Sequence, residues 1–212
     1  MFCISISKMN APRVLSELKK AEIAEIRLDI LEFNKEEFKS FFNQNCETIA
    51  TCRIGKYNDL ERLEILKNAI DFGATYVDIE IESEENYRTQ LTQYAKEKGC
   101  KVIISYHNYD CTPAYKELES IVEQCIKFEA DIPKIASQVL ESIDSLNLLK
   151  LYSFYQNIVV LGMGKKGMIT RIYALDFGAP FTFCAPDGGE ITASGQLEYS
   201  KLKQIHNLIN IK

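Results

Sequence analysis

The chain has 212 residues, 46% hydrophobic and 26% charged, with a formal net charge of −5, the balance of one globular domain with a sizeable core. Its lysines and arginines form no run, which argues against a nucleic-acid or membrane-surface partner and for a small-molecule ligand. Seven scattered cysteines (Cys3, Cys46, Cys52, Cys100, Cys111, Cys125 and Cys184) are odd in number and form no CxxC pair, so reduced thiols are expected rather than disulfides or zinc, and the cytoplasm is the expected compartment.

From the N-terminus, Met1-Phe2-Cys3-Ile4-Ser5-Ile6 goes straight into a strand-like run without a basic leader, and no apolar stretch reaches membrane-spanning length. Further β-type runs follow near Glu25–Ile30, Thr48–Arg53, Tyr76–Ile81, Lys101–His107, Ile132–Ala136, Ile158–Leu161 and Phe181–Cys184. Helical patterns lie between them. Asp59–Phe72 carries Leu60, Leu63, Leu66 and Ile70 on one stripe, and Ala114–Phe128 carries Leu118, Ile121, Val122 and Cys125 on another. Eight strands alternating with helices, at a repeat of roughly 22 to 30 residues, match a (β/α)₈ TIM barrel at its compact end, a single domain over residues 1–212. A doubly wound open sheet shows the same alternation and is the competing architecture.

Strand parity favours the barrel. Strands of a parallel sheet covered on both faces read as continuous aliphatic runs. Here Glu25-Ile26-Arg27-Leu28-Asp29 and Val77-Asp78-Ile79-Glu80-Ile81 alternate charge with aliphatic, and the pairs Thr51/Arg53 and Ser105/His107 share a parity. Residues two apart face the same way. An open sheet would press these charges under helices, whereas a barrel directs them inward at its mouth. Arg27, Asp29, Arg53, Glu80, His107, Lys134 and Met163 all fall at or near C-terminal strand ends, the edge on which barrel enzymes build their sites.

In Asp131-Ile132-Pro133-Lys134-Ile135-Ala136 one lysine interrupts an apolar strand. A lysine at a strand end can snorkel to solvent. A buried one loses solvation, and its pKa falls from about 10.4 toward 7 to 8, where the free amine attacks carbonyls to form a Schiff base. His107 lies one strand earlier, about 4.8 Å away in a parallel sheet, and an imidazole beside an imine can move a proton. The other histidine, His206, reads as a surface residue of the last helix. Gly162-Met163-Gly164-Lys165-Lys166-Gly167 satisfies GxGxxG, but the chain left after it is too short for the rest of a dinucleotide domain. Its backbone N–H groups suit a carboxylate or phosphate instead, with Arg171 one turn on, although that arginine could equally cap or pack its helix. Ala185–Gln196, with three glycines, reads as a mobile lid or an ordinary surface loop, and Thr192 and Gln196 would bond a ligand if it closes.

These motifs together resemble the type I 3-dehydroquinate dehydratases of the shikimate pathway, almost from end to end. The matching pieces are Glu25-x-Arg27-x-Asp29, Thr51-Cys52-Arg53, Asp78-x-Glu80, Ser105-Tyr106-His107, Pro133-Lys134-Ile135-Ala136, Met163-Gly164, Gly167, Thr170-Arg171, Phe183 and Gly195-Gln196. The resemblance implies a Schiff-base barrel enzyme, usually a homodimer, that needs no metal or cofactor and removes water from 3-dehydroquinate to give 3-dehydroshikimate. By the same resemblance Lys134 is the imine-forming lysine and His107 the proton-transfer histidine. Arg171 binds the substrate carboxylate with Gln196 and the lid nearby, Glu25, Arg27 and Arg53 hold the ring and its hydroxyls, and Met163 and Phe183 form apolar walls.

Two positions depart from the family pattern. The glutamate expected four residues after Arg53, which orients the histidine, is Tyr57, and the lid serine is Thr192. Glu80 is the expected substitute for the missing acid, acting on His107 directly or through Tyr57. Two rival functions stay open: a class I aldolase, which predicts phosphate binding near Gly164–Gly167, and a ligand-binding barrel with little turnover.

Overall fold

In the computed structural model, which describes residues 1–209, strands and helices alternate from end to end. The first half runs β1 (Phe2–Ile6), α1 (Ala11–Leu18), β2 (Ile23–Arg27), α2 (Lys35–Phe42), β3 (Glu47–Thr51), α3 (Asp59–Asp71), β4 (Tyr76–Glu80) and α4 (Glu85–Glu97). The second runs β5 (Lys101–Asn108), α5 (Tyr115–Lys127), β6 (Ile132–Gln138), α6 (Ser142–Lys150), β7 (Val159–Met163), α7 (Met168–Tyr173), β8 (Thr182–Cys184) and α8 (Tyr199–Ile209). All strand pairs are parallel, in the order β7-β6-β5-β4-β3-β2-β1-β8. The sheet is thus a barrel closed everywhere except between β7 and β8, where the described residues form no ladder.

The period of two sorts each strand's side chains. One parity, including Ile4, Ile26, Ala50, Val77, Ile79, Val102, Ile104, Ile135 and Val160, packs outward in the main core with apolar helix positions such as Val14, Phe41, Leu66, Leu91 and Leu118. The other parity points inward in tiers. Its floor is a second apolar cluster that includes Cys3, Ile23, Ile49, Tyr76, Ile103, Ile132, Val159 and Phe181. Two residues further along come Ser5, Glu25, Thr51, Asp78, Ser105 and Lys134, all buried, and above them Arg27, Arg53, Glu80 and His107. An apolar plug below and a polar tier above is the arrangement the alternating strands require.

Several boundaries differ from the sequence reading. The second strand ends at Arg27 rather than Ile30, because the Leu28 and Ile30 amides turn back onto Ile26 and Arg27 carbonyls. α3 buries Arg62, Leu66, Ala69 and Ile70, while Leu60, placed on the inner stripe by hydropathy, is 79% exposed. The α5 stripe of Leu118, Ile121, Val122 and Cys125 is buried as expected. His206 is not a bare surface residue: it packs edge-on against Phe2 and lies 3.7 Å from Asp176. All seven cysteines are free thiols. No described helix is long and apolar enough to cross a membrane.

Candidate active site

The upper polar tiers enclose one cavity at the C-terminal mouth. Glu25, Arg27, Arg53, His107, Lys134, Met163, Arg171, Phe183, Thr192 and Gln196 all line it, together with Ser5, Tyr109, Ala136, Leu161 and Ala193. Ten of the thirteen positions singled out from the sequence therefore meet in one place. Asp29, Glu80 and Tyr57 do not reach the cavity wall.

Asp78 organises the charges behind that wall. Its side chain is fully buried. Its carboxylate accepts both Nη atoms of Arg53 at 2.8 and 2.9 Å, the Ser105 hydroxyl at 2.6 Å and the Lys134 Nζ at 2.8 Å. Burial pushes the Asp78 carboxyl up, but the Arg53 and Lys134 charges and the Arg53 hydrogen bonds outweigh it and hold it well below the usual carboxylate range. Fork-on-carboxylate pairing fixes the Arg53 plane as well as its charge. Asp78 shares its parity with the residues picked from the sequence, yet the sequence gives no sign that it is the hub.

Lys134 is 4% exposed. It does not stand in a purely apolar slot: besides Asp78, Glu25 lies 3.8 Å from Nζ, and the Phe183 ring covers it at 4.5 Å. Glu25 is held in turn by the hydroxyls of Ser5 and Thr51, at 2.9 and 3.0 Å. Lys134 therefore sits beside carboxylates that balance a positive nitrogen, under an aromatic face that excludes water.

His107 is one tier higher, opposite Ala136, while Lys134 is opposite Ser105. Its imidazole is held well below its usual pKa, first by burial and then by the Arg53 and Lys134 charges, with Asp78 opposing. The expected contact from Glu80, alone or through Tyr57, is not made. Glu80 accepts from Arg62 at 2.8 Å and approaches Arg53 at 3.9 Å. Tyr57 packs against the main core with the Lys56 ammonium over its ring at 5.0 Å. The His107 ring lies near-parallel to that of Tyr109 at 6.1 Å between centroids. Asp29, likewise behind the wall, clamps Arg27 at 3.0 and 2.7 Å.

Arg171, from α7, lines the cavity beside Phe183 of β8. It is 1% exposed, and its one hydrogen bond within the described residues is a long contact of 3.5 Å to the Phe183 carbonyl, with Nε unpartnered. Burial brings its guanidinium down to about 10. Arg27, Arg53 and Lys134 each have a carboxylate, whereas Arg171 faces the cavity with none, so an anion is what the site lacks.

The Ala185–Gln196 loop, expected as a lid or a surface loop, reaches the cavity wall through Thr192, Ala193 and Gln196. Gln196 Oε1 accepts from the Thr192 amide at 2.8 Å and hydroxyl at 3.1 Å. Outside, Arg13 donates to the Asp187 and Gly188 carbonyls and Lys8 pairs with Glu190 at 2.9 Å. The glycine-rich turn serves the lid and the packing rather than a phosphate. The Gly164 amide donates to the Ser194 carbonyl at 3.0 Å and the Gly167 amide to the Gly164 carbonyl at 3.1 Å. Gly162 and Gly167 are in backbone contact, where a Cβ on either would collide with the other, and the Thr170 hydroxyl ties both.

The family model of type I 3-dehydroquinases matches residues 2–212. The 3-dehydroquinate dehydratase of Methanococcus maripaludis strain S2 is 36% identical over 99% of this chain and 100% of its own length. That of Methanocaldococcus jannaschii is 34% identical over 100% of both chains. Among solved structures, the type I 3-dehydroquinate dehydratase of Clostridium difficile superposes with a TM-score of 0.86 at 25% identity, over 98% of this chain and 91% of that one. The barrel, the clustered motifs and these relatives agree: the chain belongs to the type I 3-dehydroquinase family, the 3-dehydroquinate dehydratases of the shikimate pathway.

Proposed function

We propose that the chain dehydrates 3-dehydroquinate to 3-dehydroshikimate through an imine on Lys134, with His107 transferring the proton. The observation that carries this reading is the buried pairing of Lys134 with Asp78, in one cavity with His107 and the anion-free Arg171. The Lys134 ammonium gives up a proton, the free amine adds to the ring ketone, and that proton returns to the carbinolamine oxygen so that water leaves, giving an iminium whose positive nitrogen keeps Asp78 as its counter-ion. The iminium acidifies the adjacent C–H bond. Neutral His107 takes that proton, and the electron pair left on carbon is delocalised to nitrogen as an enamine. The enamine then expels the neighbouring hydroxyl, which leaves as water with the proton returned by His107. Hydrolysis of the imine releases the conjugated enone and restores the lysine. Burial and the Arg53 and Lys134 charges favour the neutral imidazole, the form that accepts the proton, and the imidazolium so formed is the acid that returns it. Arg171 holds the ring carboxylate, and Arg27, Arg53 and Glu25 face its hydroxyls.

The structure of the Clostridium difficile relative contains covalently modified comenic acid. Against the aldolase alternative, the Gly164 and Gly167 amides that would cradle a phosphate are already bonded to backbone carbonyls. The test is incubation with 3-dehydroquinate, following enone absorbance, and then borohydride reduction and peptide mapping. Enone formation with a single reduced adduct on Lys134 is expected. A label spread over surface lysines, or turnover that leaves no trapped adduct, would remove the imine route.

A further inference from the structure

Arg62 is a buried charged side chain behind the site that the mechanism leaves unused. It comes from α3, is 2% exposed, and spends its whole guanidinium on protein. Nε donates to the Cys52 carbonyl at 2.9 Å, Nη1 to Asp59 at 2.8 Å and Nη2 to Glu80 at 2.8 Å, and the Tyr87 ring lies 4.9 Å from Cζ. Taking a charge this far out of water is costly. The main core offers apolar neighbours that could fill such a position, so the arginine calls for a reason.

The reason lies in what its partners touch. Cys52 immediately precedes Arg53, so the Nε bond fixes the backbone from which Arg53 projects. Glu80 gives one oxygen to Arg62 and turns the other toward Arg53 at 3.9 Å. Arg53 then clamps Asp78, which holds Lys134 at 2.8 Å, and Lys134 approaches Glu25 at 3.8 Å. Asp59, Arg62, Glu80, Arg53, Asp78, Lys134 and Glu25 thus form a continuous series of alternating charges. It runs from the half-exposed start of α3 to the floor of the cavity.

We propose that Arg62 and Glu80 are positioning residues for the dehydration: they lock Arg53 onto Asp78 and thereby set the electrostatic potential that His107 feels. The proposal rests on the reading of His107 as the acid–base group. It also accounts for a site that works with Tyr57 in place of the usual acid, because the balance is supplied from behind Arg53 and not by a carboxylate bonded to the imidazole. The charges that bear on His107 are Arg53 from the end of β3, Lys134 from β6, Asp78 from β4 and Arg27 from β2, with the Tyr109 phenol stacked beside it. Those around Glu80 and Arg62 are Arg53, Asp59 and Glu82, with the Cys52 thiol and the Tyr87 phenol.

An electrostatic role makes a signed prediction. Glu80→Gln removes a negative charge beside Arg53, so protonated His107 is less favoured and the acidic limb of kcat/KM against pH moves down, by about half a pH unit. Arg62→Met removes a positive charge and leaves Glu80 unopposed, so the limb moves up by a similar amount. The double variant returns it toward the wild-type position. Each single variant is expected to lower kcat by about tenfold as Arg53 loosens, and Arg62→Lys, which keeps the charge, to retain the wild-type limb and recover most of the rate. Glu80→Gln is isosteric and Arg62→Lys keeps the charge, so these two carry the test if Arg62→Met does not fold. Unmoved limbs with a lowered Tm would reduce the pair to a structural strut and overturn the proposal. Limbs that move in the same direction for both single variants would overturn it as well. Failure of the wild-type chain to dehydrate 3-dehydroquinate would instead strike the functional reading, which the wild-type control reports separately.

Discussion

Replacing Arg171 by methionine should make the free protein more stable and the enzyme worse. Arg171 is almost completely buried, has no carboxylate, and leaves Nε without a partner. Burial brings its guanidinium down to about 10, so keeping the charge there costs on the order of a few kcal/mol. A substrate carboxylate docked on the guanidinium recovers energy of that order, through a desolvated, charge-assisted contact. Methionine nearly preserves the volume and deletes the charge. Loss of the carboxylate contact should lower kcat/KM by roughly a hundredfold. The ligand-free Tm should rise, by about 2 to 4 °C for each kcal/mol of relief in a domain of this size. Scanning calorimetry of the ligand-free protein and steady-state enone formation measure the two effects independently. A fall in Tm together with unchanged kcat/KM would refute the reasoning, since Arg171 would then be a structural cation whose anion lies elsewhere.

Asp78→Asn should be costly in both respects: Arg53 and Lys134 lose a shared counter-ion, and breaking a buried pair of this kind costs about 3 to 5 kcal/mol, measurable by urea unfolding at pH 7. The folded Asp78 carboxyl is held well below its usual range, so its contribution is fully present above the unfolded value near 3.9 and is lost as pH falls below that; wild-type stability should therefore decline there more steeply than that of the asparagine variant. Gly195 has φ +79°, and a Cβ on it would strike the Gly164 carbonyl oxygen; Gly195→Ala should raise KM by roughly tenfold with the far-UV spectrum unchanged, because the lid no longer seats, and a wild-type KM would show that closure does not depend on this contact.

The parity of the strands made the barrel and its charged mouth legible, because a period of two survives in sequence whatever the neighbouring strands do. Glu25, Arg27, Arg53 and His107 could be placed on the inner face from that period, and Lys134 from its break in an apolar strand. Partner choice was not legible. Glu80 has the expected parity, but it ends its strand against the α3 arginine, and only the packing angle of that helix decides between Arg62 and His107. Arg62 was hidden for the opposite reason: hydropathy assigns an arginine to solvent and gave Leu60 the inner stripe instead. Asp78 became a hub through three strands and one long lysine side chain, a convergence with no local signature. The glycine-rich turn looked like an anion cradle because the same glycines that free backbone N–H groups also allow close backbone packing, and here the packing takes them.

The missing ladder between β7 and β8 gives the barrel a direction in which it can yield. Among the described residues, the backbone tie across that seam at the mouth is the Gly164 amide on the Ser194 carbonyl, and Ser194 belongs to the lid. β8 is otherwise held to the sheet on its β1 side alone. Lifting the loop would break that tie and leave β8 joined to the sheet through β1. Admission of ligand and compliance of the scaffold are then one motion, and amide exchange at Gly164 should slow when the pocket fills, while the β4–β5 ladder on the far side stays equally protected with or without ligand.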